Sequence, residues 1–316
     1  PYQPPEMQLT KEQLQKIASE TDLGILTIGR NAGEGGDRFE VNDFLLSDIE
    51  VAMIKNACEV FHEVGKKVVV VLNIGGVIET ASWKALPDAI LLAWQGGQEG
   101  GNSVADILGG KVNPSGKLPM TFPLTLNDHA SNANFPTEGG HFGIEDIFGM
   151  MFFGPPQRPE AEQVRNRDYT NYEEGVYVGY RHFDKTELAV SYPFGYGLSY
   201  TSFELSELNT EVVNDTIQLT VNIKNIGNLS GKEVVQVYAS KVEASIDRPI
   251  QELKAFRKTS ELAPGIAETI NIQIPVKELS YWDEAPAQWQ LEQGKYNIKV
   301  APSSRAEGLQ QLILLE

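Results

Sequence analysis

Two helices are expected near the start of the chain from the placement of polar caps before apolar residues. Thr10 has Gln13 three positions later, and Ser47 has Glu50, which in both cases is the capping box that opens a helix. Apolar residues at helical spacing follow each box. Gly65 stands where a glycine commonly ends a helix, so the second helix is predicted to stop just before it.

Short apolar runs lie between and after these helices. Val68–Leu72 and Ala89–Trp94 carry no polar alternation, which is typical of strands buried on both faces of a parallel sheet. Ile25–Ile28 is a third apolar run, and a further helix is expected around Ser103–Leu108. Strand and helix therefore alternate from about residue 10 to 110, which predicts an α/β layered domain.

The hydrophobic pattern changes beyond Phe203. Apolar and polar residues alternate one by one over Ile217–Lys224, Ile270–Ile274 and Tyr296–Val300, with turns rich in Asn, Gly and Pro between such segments. Alternation with a period of two indicates strands with one buried face. Over about 110 residues this pattern predicts an antiparallel β-sandwich.

Two domains are therefore expected, an α/β domain with its linker over 1–200 and an all-β domain over 201–316. The length of 316 residues agrees with this division, because domains usually contain roughly 100–200 residues. Between about 111 and 200 the pattern loosens into loops rich in Pro, Gly, Asn and aromatic residues.

The charge balance excludes several classes of partner. The chain has 26 Lys and Arg residues against 43 Asp and Glu residues, a net charge of −17. Such a surface repels nucleic acids and anionic membranes, so neither is predicted as a partner, and an uncharged ligand suits it better. No apolar run approaches the roughly 18–20 residues of a membrane-spanning helix, so none is predicted.

Metal ligands are scarce in the sequence. Cys58 is the only cysteine, which excludes an intrachain disulfide and a Cys-based metal site. The four histidines stand far apart, and no two have the close spacing of a helix-borne zinc motif. We therefore predict no metal site.

The loop after the first predicted strand contains the strongest candidate for chemistry. Glu34 is flanked there by three glycines, which let a loop carry one side chain out to a site. It is a candidate general acid/base, and Arg30, Asp37 and Arg38 are candidates for holding the loop by charge-assisted hydrogen bonds. The alternative, a solvated loop carboxylate with no chemical role, stays open on spacing alone.

Two other polar residues favour structural interpretations. Glu99 also follows a predicted strand, but it fits the first turn of the next helix, where the helix dipole favours a negative charge. Ser115 lies between Pro114 and Gly116 and is expected in a plain turn, because no Gly-x-Ser-x-Gly motif surrounds it.

Seven segments, in order along nearly the whole chain, resemble family 3 glycoside hydrolases of the β-glucosidase type. Each segment is a weak signal alone, but the ordered set is specific. The last two resemble the fibronectin type III-like domain of that family. The segments are Gly33–Arg38, Trp94–Gly101, Asn113–Pro123, Tyr172–Arg181, Tyr192–Phe203, Val234–Tyr238 and Glu252–Phe256.

The resemblance implies a fold and a division of labour. It implies a partial (α/β)6-sandwich domain followed by a fibronectin type III-like β-sandwich, with Glu34 at the position of the acid/base glutamate. In this family the nucleophilic aspartate lies on a preceding (β/α)8 barrel, which needs about 250 residues, and nothing in this sequence resembles it. The chain starts at Pro1, just before what looks like the second strand of the sandwich domain. A second chain or segment that carries the barrel is therefore an expected partner.

The function implied by the resemblance is the C-terminal part of a retaining exo-β-glycosidase that hydrolyses terminal β-linked sugars, with a β-glucoside or an oligosaccharide as substrate. Such a reaction is expected to need neither a metal nor an organic cofactor. One alternative is a non-catalytic carbohydrate-binding or regulatory chain of the same architecture, and another is sugar transfer to phosphate. The segment 127–167 matches no family pattern, and its aromatic residues would either approach a sugar or pack on the barrel or on a neighbouring subunit.

Overall fold

The computed structural model describes residues 6–30, 39–134 and 171–316, which form two compact units. The first contains the described residues up to Ala105 and those from Phe122 to Glu173, and the second contains Asp106–Thr121 and Glu174–Glu316. The segments 106–121 and 174–200 are thus grouped with the all-β part of the chain. The domain boundary expected at residue 200 stays a prediction, and most of the unmatched segment 127–167 lies outside the described residues.

From α1 to α3 the described chain alternates helices with parallel strands as predicted, except that no helix separates β2 from β3. Strands β1, β2 and β3 form a parallel sheet in that order. Short 3₁₀ turns occur at Gly97–Glu99, Leu126–Asp128 and Ala130–Ala133. The helices and strands are α1 (Lys11–Glu20), β1 (Leu23–Gly29), α2 (Asp48–Glu63), β2 (Lys67–Asn73), β3 (Ala89–Leu92), α3 (Gly100–Leu108) and β4 (Phe122–Pro123).

Both predicted capping boxes are confirmed. The Thr10 hydroxyl accepts a hydrogen bond from the Gln13 backbone N–H at 3.3 Å, and the Gln13 side chain accepts one from the Thr10 N–H at 2.8 Å. Ser47 and Glu50 make the same reciprocal pair at the start of α2. The predicted end of α2 is also confirmed, because Gly65 follows its last turn with φ +72°, a conformation that glycine adopts without strain.

Strand β2 is central in the described sheet and is largely buried, as its sequence predicts. The prediction that Ala89–Trp94 forms a strand buried on both faces is wrong. Strand β3 ends at Leu92 and lies at an edge of the described sheet, which leaves its side chains only half-buried. It cannot extend through Trp94, because the backbone there has φ +52°, outside the extended region. Residues of α1, α2 and the sheet form the core of this unit: Leu14, Ala18, Ile28, Ile54, Ala57, Val60, Phe61, Val68, Val70 and Leu72, among others.

The second unit is an antiparallel β-sandwich, as predicted. One sheet has the order β10-β7-β6 and the other β14-β13-β8-β9, while β11 and β12 form a separate two-stranded hairpin. A 3₁₀ turn occupies Val276–Leu279. The elements are α4 (Tyr180–Thr186), β5 (Val190–Tyr192), β6 (Phe203–Val213), β7 (Thr216–Asn225), β8 (Val234–Lys241), β9 (Glu252–Lys258), β10 (Ala267–Pro275), β11 (Tyr281–Asp283), β12 (Gln288–Gln290), β13 (Gly294–Ala301) and β14 (Leu309–Leu315).

The core of the sandwich consists of the apolar positions of the alternating pattern. Strand β7 buries every second side chain, and β10 and β13 do the same from either sheet. A strand turns successive side chains to opposite faces, so the intervening polar residues stay at the surface. The core residues predicted from the sequence and now found buried are Ile217, Leu219, Val221, Ile223, Ile270, Ile272, Ile274, Tyr296, Ile298 and Val300.

One polar residue is fully buried at the end of β7. Asn225 has no exposed surface, and its amide group donates to the carbonyl oxygens of Leu229 and Leu262, each at 2.7 Å. Its Oδ1 accepts from the Thr201 hydroxyl at 2.7 Å and from the Gly227 N–H at 3.0 Å. All four hydrogen-bonding positions of the amide are therefore filled. This single side chain joins β7 to the chain segments around residues 201, 229 and 262.

We expect Asn225→Leu to lower the free energy of unfolding by about 3 kcal/mol or more, because leaving a buried polar group unpaired costs about 1–3 kcal/mol and four partners lose their bond. The measurement is denaturant unfolding of the purified protein. The matched control is Asn271→Leu on the exposed face of β10, where a change within about 0.5 kcal/mol is expected. Equal losses for the two variants would contradict this role of Asn225.

Candidate functional site

The carboxyl ends of β1, β2 and β3 lie side by side in the first unit. Gly29 pairs with Asn73, and the next residue, Arg30, donates its backbone N–H to the Asn73 carbonyl at 3.0 Å. On the other side of β2, the Ala93 N–H donates to the Leu72 carbonyl at 2.9 Å. Ligands of parallel α/β sheets bind beyond the carboxyl ends of the strands. The candidate site is therefore built at this edge, where the loop that contains Glu34 begins.

Arg30, the first residue after β1, is held by a buried ion pair. Its side chain is buried, and the guanidinium donates from Nη1 and Nη2 to the two carboxylate oxygens of Glu50 at 2.7 and 2.9 Å. Nη1 also donates to the Gly29 carbonyl at 2.7 Å, and Nε donates to the Asp43 carbonyl at 2.8 Å. A bidentate pair of this kind fixes orientation as well as distance.

Glu50 joins this ion pair to the start of α2. The carboxylate oxygen that accepts from Arg30 Nη2 also accepts from the Ser47 N–H at 2.8 Å, as the capping box requires. Burial alone would raise the pKa of the Glu50 carboxyl, but the hydrogen bonds from Arg30 and Ser47 outweigh burial and hold the pKa below its ordinary value. The stabilisation from this group is therefore present above the pKa of an unfolded glutamate and is lost as the pH falls through the lowered folded value.

Asp43 connects the two ends of the loop. Its carboxylate accepts a hydrogen bond from the Phe39 N–H at 3.0 Å, and its carbonyl accepts one from Arg30. Arg30 is the last described residue before the loop, and Phe39 is the first described residue after it. The two ends are therefore held by one residue, which fixes where the intervening eight residues leave and rejoin the described structure.

Of the four predicted site residues, one is described by the structure and three are not. Glu34, Asp37 and Arg38 lie outside the described residues. Arg30 is described, and its charge-assisted hydrogen bonds go to Glu50 and Asp43. In the sequence, Glu50 indicates only a capping box, and nothing in its 20-residue separation from Arg30 indicates an ion pair.

Trp94 is an unexpected feature of the same sheet edge. Its left-handed backbone is strained for a bulky residue and costs of the order of 1–3 kcal/mol. Its ring lies 6.4 Å from that of Phe122, centroid to centroid. The neighbouring Gln95 fills the space beside Gly75, where an added Cβ would meet the Gln95 side chain at 3.1 Å. The side chains of Trp94 and Gln95 thus pack beyond the ends of β3 and β2.

The two residues given structural interpretations occupy ordinary local positions. Glu99 ends the 3₁₀ turn directly before α3, and its carboxylate accepts a hydrogen bond from the Asn102 side chain at 2.7 Å. Ser115 lies in a stretch without helix, strand or turn, so the turn predicted there is wrong. It stands between Asn113 and Lys117, which make tertiary contacts of this segment.

Asn113 and Lys117 hold together separate segments of the second unit. The Asn113 amide donates to the Ser230 carbonyl at 2.8 Å and accepts from the Ser199 hydroxyl at 2.9 Å. The Lys117 ammonium lies 2.7 Å from the Glu233 carboxylate, with both side chains mostly buried. The sequence motif around Ser115 therefore carries structural contacts.

Two negative findings apply to the described part of the chain. No group of three or more His, Cys, Asp or Glu side chains among the described residues is placed to hold a metal ion. Over the same residues, no helix is both long enough and apolar enough to cross a membrane.

Two known protein families match the chain. Residues 8–200 match the family model described as glycosyl hydrolase family 3 C-terminal domain. The chain belongs to glycosyl hydrolase family 3. Residues 233–304 match the fibronectin type III-like domain, so the order of domains expected from the resemblance is confirmed. The family 3 match ends at residue 200. The division into compact units differs from this, because it places residues 106–121 and 174–200 in the same unit as the β-sandwich.

Several relatives of this family 3 chain are named for glycosidase activity. The chain is 35% identical over 296 residues to a beta-glucosidase of Kluyveromyces marxianus, which covers 92% of the chain and 30% of the relative. It is 32% identical over 291 residues to an exo-alpha-(1->6)-L-arabinopyranosidase of Bifidobacterium longum, covering 92% of the chain and 34% of the relative.

The chain also resembles a solved beta-glucosidase structure. Beta-glucosidase 3B from Thermotoga neapolitana, in complex with alpha-D-glucose, superposes with a TM-score of 0.83 at 41% identity, covering 97% of the chain and 39% of that structure. The chain thus spans 30–39% of the length of these three relatives.

The buried ion pair provides a test of how the loop is anchored. We expect Arg30→Met to lower the free energy of unfolding by about 3–5 kcal/mol, because it leaves the Glu50 charge buried and unpaired. The double variant Arg30→Met/Glu50→Gln should lose about 2 kcal/mol less than the sum of the single variants, because the neutral amide keeps the cap without the charge. Denaturant unfolding gives the free energy of unfolding of Arg30→Met, Glu50→Gln and the double variant.

The matched control is the exposed pair between Lys11 and Glu63, whose charged atoms lie 3.5 Å apart and whose side chains are 59% and 55% exposed. Lys11→Met should cost less than about 1 kcal/mol. Additive effects of the Arg30 and Glu50 substitutions would show that the two side chains are not coupled.

Proposed function

We propose that this chain is the C-terminal part of a retaining exo-β-glycosidase of the β-glucosidase type, and that Glu34 is its general acid/base. Family membership supports the reaction class. The names of the beta-glucosidase relatives support a β-glucoside as the first choice of substrate. The exo-acting arabinopyranosidase relative supports a terminal sugar. The net charge of −17 agrees with an uncharged substrate.

The observation that carries the role of Glu34 is the anchorage of the loop ends. A catalytic side chain must be held close to its productive geometry, and a loop does this only when its ends are fixed. Arg30 and Phe39 are both tied to Asp43, and Arg30 is further fixed by Glu50. We infer that Asp37 and Arg38 add charge-assisted hydrogen bonds within the loop.

The proposed reaction uses two carboxylates. A nucleophilic aspartate attacks the anomeric carbon while Glu34 protonates the departing glycosidic oxygen, and Glu34 then removes a proton from the water that releases the sugar. We propose that the aspartate belongs to a (β/α)8 barrel in a second chain or segment. The share of each relative that this chain spans, 30–39%, leaves room for such a barrel in the whole protein.

The role of Glu34 is tested in the complete protein by Glu34→Ala. Loss of a general acid/base costs about 10²–10⁴-fold, so hydrolysis of cellobiose-like substrates should collapse by that factor. An aryl glycoside with a good leaving group needs little protonation and should still form the glycosyl-enzyme, which should accumulate because no base activates water. Azide needs no base and should restore turnover and yield a β-glycosyl azide.

Glu99→Ala is the matched control, because Glu99 is a carboxylate in a glycine-rich segment that bonds to Asn102. It should show no azide rescue and no preference between leaving groups. Rescue of Glu99→Ala in place of Glu34→Ala would place the acid/base on the other loop. A rate that depends on phosphate would instead indicate sugar transfer to phosphate.

The need for a barrel is tested separately. The two carboxyl groups of a retaining glycosidase stand about 5–5.5 Å apart, so Glu34 without the nucleophile should give no turnover. We expect residues 1–316 alone to leave an aryl β-glucoside intact, and the same chain together with the barrel portion to hydrolyse it. Turnover by the isolated chain would overturn this division of roles. Glycan binding without turnover, even with the barrel present, would favour a non-catalytic carbohydrate-binding chain.

A further inference from the structure

The hairpin of β11 and β12 exposes two tryptophans side by side. Trp282 and Trp289 are directly opposite each other across the two strands, so their side chains share one face of the hairpin. Their ring centroids are 5.6 Å apart with an angle of 74° between the ring planes. The two residues remain 50% and 68% exposed, respectively.

The hairpin is held from its base by a mostly buried arginine. Arg248 donates to the Leu279 carbonyl at 2.7 Å, just before β11, and its guanidinium lies 5.6 Å from the centre of the Tyr281 ring. It also lies 3.6 Å from the carboxylate of Glu292, just after β12. One guanidinium therefore contacts the chain on both sides of the hairpin, so the tryptophan pair stands on a scaffold that is already ordered.

A purely structural role does not account for this exposure. The edge-to-face contact of such a pair stabilises a hairpin by about 0.5–1.5 kcal/mol, but it uses only part of each ring. Much of both indole surfaces still faces water. Adjacent exposed apolar surface of this kind commonly marks a site of interaction.

The local charge decides which ligand suits the pair. Residues 276–292 contain four carboxylates and the single ammonium of Lys277. Glu292 is compensated by Arg248 at 3.6 Å and Lys241 at 3.7 Å, but Glu278, Asp283 and Glu284 still leave the local charge negative. This charge repels an anionic membrane or a nucleic acid, the other common ligands of exposed tryptophans. A neutral sugar ring is not repelled by this charge. Its axial C–H groups carry the partial positive charge that the negative face of an indole attracts.

We propose that Trp282 and Trp289 form a binding site for a neutral β-linked polysaccharide. Each sugar ring lies flat on the free face of one indole and gains dispersion and C–H···π contacts. The choice of a β-linked glucan rests on the proposed function, whereas the choice of a neutral polysaccharide rests on the hairpin itself. Such a site holds the protein on a polymer whose chain ends are its substrate.

The test is depletion of the complete protein from solution by an insoluble β-glucan, with an insoluble α-glucan and phosphatidylserine vesicles as parallel arms. The double variant Trp282→Val/Trp289→Val keeps residues that favour strands and removes both rings. Its partition constant on β-glucan should fall by about tenfold or more, as for other aromatic anchors. Phe256→Val on β9, which is 69% exposed, is the matched control and should bind like the parent protein.

Thermal unfolding of each variant checks that the fold is intact. If the double variant is unfolded, Trp289→Tyr keeps an aromatic face and should retain binding, whereas Trp289→Val should weaken it. Equal retention of the parent and the double variant on β-glucan would overturn the proposal, and so would binding to the vesicles alone. Retention needs no turnover, so a protein that binds through these rings without hydrolysing β-glucosides would refute the proposed function and keep this site.

Discussion

The ion pair between Arg30 and Glu50 determines the geometry at the carboxyl edge of the parallel sheet. A buried charge without its partner is strongly destabilising, so each side chain constrains the position of the other. Through Arg30 the pair holds the end of β1, and through the capping contact with Ser47 it holds the start of α2. Asp43 then fixes Phe39 relative to the same guanidinium. Both ends of the loop that contains Glu34 are therefore connected, directly or through Asp43, to this ion pair.

The second unit uses buried polar side chains in a similar way. Strand pairing and apolar alternation build the two sheets, but they do not fix the turns and the hairpin between the strands. Asn225 fills all four of its hydrogen-bonding positions with groups from three other segments, and Arg248 contacts the chain on both sides of β11 and β12. Because an unsatisfied buried polar group is costly, each of these residues admits few alternative arrangements of its neighbours.

Local patterns predicted the elements well, and tertiary contacts account for what they missed. The capping boxes at Thr10 and Ser47 depend on residues three positions apart, and burial in the sandwich follows a period of two, so both are visible in the sequence. The pairing of Arg30 with Glu50 and the left-handed backbone of Trp94 depend on residues brought together only by folding. The ordered family motifs indicated Glu34 as the acid/base, a role that stays a prediction.

The lowered pKa of Glu50 has a consequence for the general-acid role proposed for Glu34. A carboxyl group can donate a proton only in its protonated form, which becomes more populated as the pH falls. Falling pH also protonates the buried carboxylate of an ion pair, and here that would weaken the hold on Arg30 and the cap of α2 together. Because the hydrogen bonds from Arg30 and Ser47 outweigh burial, the pKa of Glu50 lies below its ordinary value. The anchorage therefore persists at a pH where an ordinary glutamate has begun to protonate, so the loop ends stay fixed under the conditions that favour a protonated acid.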